Sequence, residues 1–214
     1  MVRFADRRDG GQQLAKALAH LRLVEPVVLA LPRGGVPVGL EVAHALRAPL
    51  DVFVVRKIGA PGHKEYAIGA IAEGGTPIFD AAAVHALELA RDQLEGLARV
   101  ERAELDRRVR RYRGARPLPP LAGRDVVLVD DGLATGLTAE AAVRAVKEHE
   151  PRRVIVAVPA CAPESRARLE QIADEVVCVI APPEFHAVGQ WYDHFDQTSD
   201  AEVAAALTER HCKR

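Results

Sequence analysis

Two adjacent aspartates, Asp130 and Asp131, follow the apolar run Val126 to Val129 and precede the small-residue stretch GLATGLT, Gly132 to Thr138. Such a run reads as a buried strand, and in an open parallel sheet ligands gather beyond the carboxyl ends of the strands. The small residues let backbone amides come close to a ligand, and a helix expected from Leu137 to Glu148 turns its positive end to the same place. A phosphate on this loop with two carboxylates one step upstream suits a phosphorylated sugar, because carboxylates accept hydrogen bonds from vicinal hydroxyls and repel phosphate. The spacing therefore asks for a ribose 5-phosphate. A simple turn cap would use one aspartate and leave the second unexplained.

Neither common nucleotide loop fits: the stretch lacks the lysine of GxxxxGK[ST], and it is not GxGxxG. A second anion loop is expected in LALPRGGVPVG, Leu29 to Gly39, where Arg33, Gly34 and Gly35 follow a strand and open a helix. Arg56 and Lys57 leave the next strand and open VVRKIGAPGHKEYAIGAIAEGG, Val54 to Gly75, which reads as a mobile active-site loop.

Four apolar residues, Asp-Asp and GLATGLT together resemble the phosphoribosyl pyrophosphate (PRPP) signature of type I phosphoribosyltransferases. The resemblance implies a doubly wound α/β fold with a mainly parallel sheet, flanking helices, a helical insertion and a small hood. It implies that Asp130 and Asp131 hold the ribose 2- and 3-hydroxyls. Gly132 and Leu133 would lead into Ala134, Thr135, Gly136, Leu137 and Thr138, which would wrap the 5-phosphate. Arg33, Gly34 and Gly35 would form the pyrophosphate loop, often with an unusual peptide geometry, and Arg56 and Lys57 would neutralise the leaving group. His63, Lys64 and Glu65 could close over the ligand. Magnesium is expected to arrive with PRPP, held by phosphates and waters, with Asp130 or Asp131 touching it indirectly.

The reaction implied is displacement of pyrophosphate from C1 of PRPP by a nitrogen acceptor, a nucleobase first among them. Arg33, Lys57, Asp130 and Asp131 would carry it. One departure stands out: several purine-salvage members place an acidic residue where this chain has Ala134, whereas adenine and uracil members resemble its Ala-Thr-Gly form. A PRPP-binding regulator without catalysis and a sugar-phosphate or nucleotide hydrolase are the alternatives. In PPEFHAVGQWYDHF, Pro182 to Phe195, Phe185, Trp191 or Tyr192 could stack on a planar acceptor, or could anchor the C-terminal segment.

These residues need a scaffold, and the rest of the chain supplies its pattern. Strands are expected at Val27 to Ala30, Asp51 to Val55, Ala67 to Ala72, Val126 to Val129, Val154 to Val158 and Val176 to Ile180, with helices between them. The helical stretches run near Gln12 to Leu21, Val36 to Leu46, Ala81 to Tyr112, Leu137 to Glu148, Glu164 to Ile172 and Asp200 to His211. Ala81 to Tyr112 reads as one long or two short amphipathic helices. One domain over residues 1–214 is expected, with an insertion near 81–113 and a hood or tail near 182–214.

Hydrophobic residues make up 49% of the 214, charged ones 28%, and the formal charge is -1, as in ordinary globular proteins and unlike nucleic-acid-coating or membrane chains. RRVRRYRGAR, Arg107 to Arg116, follows Glu101, Glu104 and Asp106 at helical spacing, so a salt-paired surface is expected there, although Arg111 or Arg113 could reach the phosphate cleft. No signal-like or membrane-spanning run is visible, so a cytoplasmic address is expected. Cys161, Cys178 and Cys212 form no metal spacing and read as buried or incidental thiols, and no metal held by the protein alone is expected from His186, Asp193 and His194. Family habit adds a homodimer.

Overall fold

The computed structural model describes residues 3–211. A parallel sheet runs in the order β2 (Leu50–Val52), β1 (Val27–Ala30), β6 (Asp125–Val129), β7 (Arg153–Ala160), β8 (Glu175–Ile180). Alternation along these strands sorts the core into two layers. Val28, Ala30, Val127, Val129, Ile155 and Ala157 join one cluster, with Leu14, Val42, Leu105 and Leu207 from covering helices. Val27, Leu29, Val126, Leu128, Val154 and Val156 join the other, with Val143, Val146 and Leu169. Burial on both faces explains why the strands read as continuous apolar runs.

The covering helices of the first layer include α1 (Arg7–Leu18), α2 (Gly35–Leu46), α4 (Arg91–Arg113) and α7 (Asp200–His211); α5 (Leu137–Lys147) and α6 (Pro163–Leu169) lie on the second. The start of α1 is five residues earlier than its apolar pattern predicts, because Asp6 caps it by accepting a hydrogen bond from the Asp9 amide at 2.9 Å. The expected Ala81 to Tyr112 helix divides into α3 (Ala81–Ala86) and the 23-residue α4, with Glu88 at φ 51° in the break. Asp80 caps α3 as expected, whereas α7 is capped by reciprocal bonds between Ser199 and Glu202.

Two expectations are corrected. The strand from Asp51 to Val55 breaks, because the chain leaves the parallel sheet after Val52 and Val55 opens β3 (Val55–Ala60) in a second sheet. The stretch read as a mobile loop is an antiparallel hairpin of β3 with β4 (His63–Ala72), extended by β5 (Ile78–Phe79). Glycines and a proline disguised it, yet Ile58, Ile68 and Ile71 are fully buried beneath it. His63 is exposed near the hairpin tip, and the side chains of Lys64 and Glu65 lie outside the described residues.

Cys161 and Cys178 are also corrected, from thiols to a disulfide. They lie 17 positions apart in sequence, but parallel pairing of β7 with β8 brings Val158 opposite Cys178, and the two Cα atoms stand 6.4 Å apart. Cys212 lies outside the described residues. Among the described residues, no helix is long and apolar enough to cross a membrane.

Candidate active site

From β1 the sheet builds outward to β2, and from β6 outward to β7 and β8. The switch point of the topology therefore falls between β1 and β6, where diverging loops leave a crevice. Leu31 to Gly35 ends β1, and Asp130 to Gly136 ends β6. A cleft of about 510 Å³ opens there, lined in part by Pro32, Arg56, Lys57, Asp130, Asp131 and Thr135.

The floor is built tightly. A Cβ placed on Gly34 would collide with the Asp131 carboxylate, and one on Gly35 would lie 2.6 Å from the Val129 carbonyl oxygen and 2.9 Å from Asp130 Cα. Only glycine lets the two loops touch. The Pro32–Arg33 peptide just before Gly34 is cis, an unusual geometry of the kind the resemblance led one to expect. We predict that Gly34→Ala displaces Asp131, costs about 1–3 kcal/mol of stability, and weakens PRPP binding. Thermal melts and ligand titration check both effects; an alanine variant with unaltered PRPP affinity would separate this glycine from the site.

The β6 loop is held from below. The Leu133 amide donates to the Ala160 carbonyl at 3.0 Å, the Ala162 amide donates to Leu133 at 2.9 Å, and the Ser165 hydroxyl donates to the Ala134 carbonyl at 2.5 Å. Gly136, at φ 73°, then turns the chain into α5. First-turn amides of a helix have no partner within it, and the α5 start, with Gly136 and Thr138, lies at the cleft. Glu140 and Arg144 pair along α5 at 2.9 Å, as their spacing predicts.

Charge in the cleft is divided. Burial, and then the neighbouring Asp131 carboxylate, push the Asp130 carboxyl well above the usual carboxylate range. Burial also raises Asp131, while the Arg7 guanidinium acts against that shift. Opposite stand Lys57, whose charge favours ionised Asp130, and Arg56, which pairs with Glu101 at 2.8 Å. Helix α4 thus brings Glu101 and Arg108 to the cleft, which the sequence reading did not assign to the site.

The remaining site residues named from sequence are distributed as follows. Ala134, Thr135, Gly136 and Thr138 line the cleft with Gly132 and Leu133, while Leu137 is buried beneath the loop. Arg33 is half-buried beside the cleft loop, close enough for its charge to act on Asp200 and Tyr112. Phe185 stacks on Trp191 with ring centroids 5.9 Å apart, in a satellite cluster with Phe4 and Tyr192, and does not itself line the cleft. Arg111 pairs with Asp200 at 3.1 Å, and Arg113 turns inward to Glu73 at 2.8 Å and the Val52 carbonyl at 2.6 Å. Neither arginine enters the cleft. Arg7 is the largest omission: it reaches Asp131 from 124 residues away, and only its place after the Asp6 cap hinted at an ordered side chain.

A parallel sheet with helices on both faces and a cleft at its switch point defines an α/β protein of the doubly wound class. The phosphoribosyl transferase domain model matches residues 8–194, and the chain belongs to that family. Its sheet and helices are those of the type I fold. The crystal structure of TT1426 from Thermus thermophilus is 49% identical, with 97% of this chain and 99% of that one covered and a TM-score of 0.83. "Putative phosphoribosyl transferase Rv0571c" of Mycobacterium tuberculosis (strain ATCC 25618 / H37Rv) is 48% identical over 211 residues, 99% of this chain and 48% of the relative. The chain spans about half the length of that curated relative. A uracil phosphoribosyltransferase of Aquifex aeolicus (strain VF5) is 42% identical over 59 residues, 28% of each chain.

Proposed function

We propose that the cleft binds PRPP and transfers its ribose 5-phosphate to a nitrogen acceptor, with nucleobases the first class to test. The nitrogen lone pair forms the bond to C1, the C1–O bond to pyrophosphate breaks, and the proton leaves the nitrogen. The observation that carries this reading is the pair Asp130 and Asp131 at the end of β6, followed at once by a small-residue loop that opens α5. Asp130 and Asp131 take the ribose hydroxyls, Ala134 to Thr138 the 5-phosphate, and Arg33 to Gly35 with Arg56 and Lys57 the pyrophosphate. Most of the rate enhancement then comes from positioning and from stabilising the leaving group. We place the whole reaction in one unit spanning the chain, with α3 and α4 as the insertion and residues 182–211 as the hood.

Magnesium fits this donor set only as a companion of the substrate. Among the described residues no group of three or more His, Cys, Asp or Glu is arranged to hold a metal, and one of the two site carboxylates is already paired with Arg7. Asp130 and Asp131 would approach the ion through water or ribose oxygens, and the ion would neutralise the pyrophosphate as it leaves.

One observation favours a second reading. Ala134 is exposed on the loop and offers a methyl group where a general base could stand, which suits a regulator that binds PRPP without turning it over. Pyrophosphate release from PRPP, measured with and without a panel of purines, pyrimidines and simple amines, decides between them. Release that depends on one acceptor class is expected. Tight PRPP binding with no release across the panel would establish the regulator, and release of ribose 5-phosphate without acceptor would mark a hydrolase.

A further inference from the structure

Asp131 is gripped from both ends of the chain. Its Oδ2 accepts a hydrogen bond from Arg7 Nε at 2.8 Å, and the two side chains are only 12% and 14% exposed. Arg7 is the first residue of α1. Its Nη1 donates to the Asp196 carbonyl at 2.6 Å, and its guanidinium carbon lies 3.8 Å from the centroid of the Phe195 ring. The Tyr192 hydroxyl donates to the Asp131 carbonyl at 2.5 Å, and Tyr192 stacks on Phe195 with centroids 5.0 Å apart. One guanidinium thus spends its edge on a carboxylate, a second nitrogen on a carbonyl and its face on a ring. Lysine can reproduce the first of these contacts and not the set.

The geometry points to Arg7 as a positioning residue of the PRPP site: by fixing Asp131 Oδ2 it aims the other carboxylate oxygen at the ribose. The inference rests on the reading of Asp130 and Asp131 as the ribose clamp. Without Arg7, two like charges would stand side by side in a partly dry crevice, where repulsion is several times stronger than in bulk water. Asp131 would also be free to swing away from Asp130. The ring of Phe195 adds attraction through its face and screens the ion pair from solvent. Arg7 touches no reacting atom in this scheme; it acts through Asp131. A purely fold-locking salt bridge would stabilise the molecule equally for every ligand, whereas a positioning residue favours ligands that contain the ribose.

Titration of PRPP, ribose 5-phosphate and pyrophosphate, each with magnesium, tests this in the wild type, Arg7→Met, Arg7→Lys, Asp131→Asn and the Arg7→Met/Asp131→Asn double variant. Arg7→Met is expected to weaken PRPP and ribose 5-phosphate roughly tenfold, the worth of one charge-assisted contact, and to leave pyrophosphate nearly unchanged. Arg7→Lys should restore part of the loss. In the Asp131→Asn background, Arg7→Met should add little, because the group it acts through is already altered. Full PRPP affinity in Arg7→Met beside a loss in Asp131→Asn overturns the role of Arg7 and leaves the ribose clamp standing. Equal weakening of all three ligands by Arg7→Met also overturns it, reducing Arg7 to a general charge effect. Full PRPP affinity in Asp131→Asn removes the clamp itself. If Arg7→Met does not fold, Phe195→Leu loosens the guanidinium instead. The same ribose-selective loss at smaller size supports the inference, and its absence overturns it.

Discussion

Asparagine at both Asp130 and Asp131 is expected to abolish useful PRPP binding while the fold persists. Each carboxylate is assigned a charge-assisted hydrogen bond from a ribose hydroxyl, worth about 1.5–3 kcal/mol, or roughly 10- to 100-fold in affinity apiece. Titration of PRPP with magnesium reads the loss directly, and circular dichroism confirms the fold. The single variant Asp130→Asn carries a second, opposite expectation. Burial and Asp131 raise the Asp130 carboxyl above its ordinary value, so its ionised form is disfavoured in the folded protein. Stability from this group therefore falls as pH rises out of the usual carboxylate range, and the penalty is in force at neutral pH. Removing the charge should raise the melting temperature of the unliganded protein even as PRPP affinity collapses. Unchanged PRPP binding in the double variant would falsify the ribose assignment.

The second large effect lies away from the cleft. Arg113, the last residue of α4, is buried with its side chain only 4% exposed, and it donates to Glu73 at 2.8 Å and to the Val52 carbonyl at 2.6 Å, with Asp51 at 3.4 Å. Removing one partner of a buried ion pair leaves uncompensated charge, so Arg113→Met should cost about 3–5 kcal/mol. Burial already holds the Glu73 carboxyl above its ordinary value, and Arg113 is the chief influence lowering it. Loss of Arg113 therefore raises Glu73 further. A carboxyl raised by folding destabilises most where it must ionise, so the deficit should be greatest at neutral pH and shrink on acidification as Glu73 takes up a proton. Urea unfolding across that range checks the slope. Arg113→Met with Glu73→Gln should recover part of the loss, and a deficit independent of pH would separate Arg113 from Glu73.

Local signals were legible where consecutive residues do consecutive work. Val126 to Thr138 contains a strand, its terminal carboxylates, a small-residue loop and a helix start in order, so the fold class and the heart of the cleft could be read from residue types and spacing. The two ends of the chain were harder. Arg7, Ser165 and Tyr192 meet the β6 loop over 124, 31 and 61 positions, and no periodicity encodes a contact at that distance. The hairpin of β3 and β4 was legible only in its last part, the strand Ala67 to Ala72, because Gly59, Pro61 and Gly62 imitate loop composition upstream of it. Glu101 and Arg108 were visible as helical charges, but the sequence could not say that α4 folds back to the cleft. The Arg-rich end of α4 looked like one feature and resolves into several: Arg107 and Arg108 pair with Glu104, Arg111 with Asp200, and Arg113 with the buried carboxylates.

The grip on Asp131 also bears on how the molecule is made. A ribosome delivers the chain from the N-terminus, so Arg7 and α1 emerge long before Asp131, and Asp131 before Tyr192, Phe195 and Asp196. Until then the pair of Arg7 and Asp131 lacks the aromatic face and the carbonyl that hold the guanidinium in the finished fold. The contacts that fix Arg7 are therefore made after every strand of the parallel sheet has been synthesised. A nascent chain halted just past β8 would hold Arg7 and every residue of the β6 loop and still lack Tyr192, Phe195 and Asp196, which hold Asp131 and the guanidinium in place.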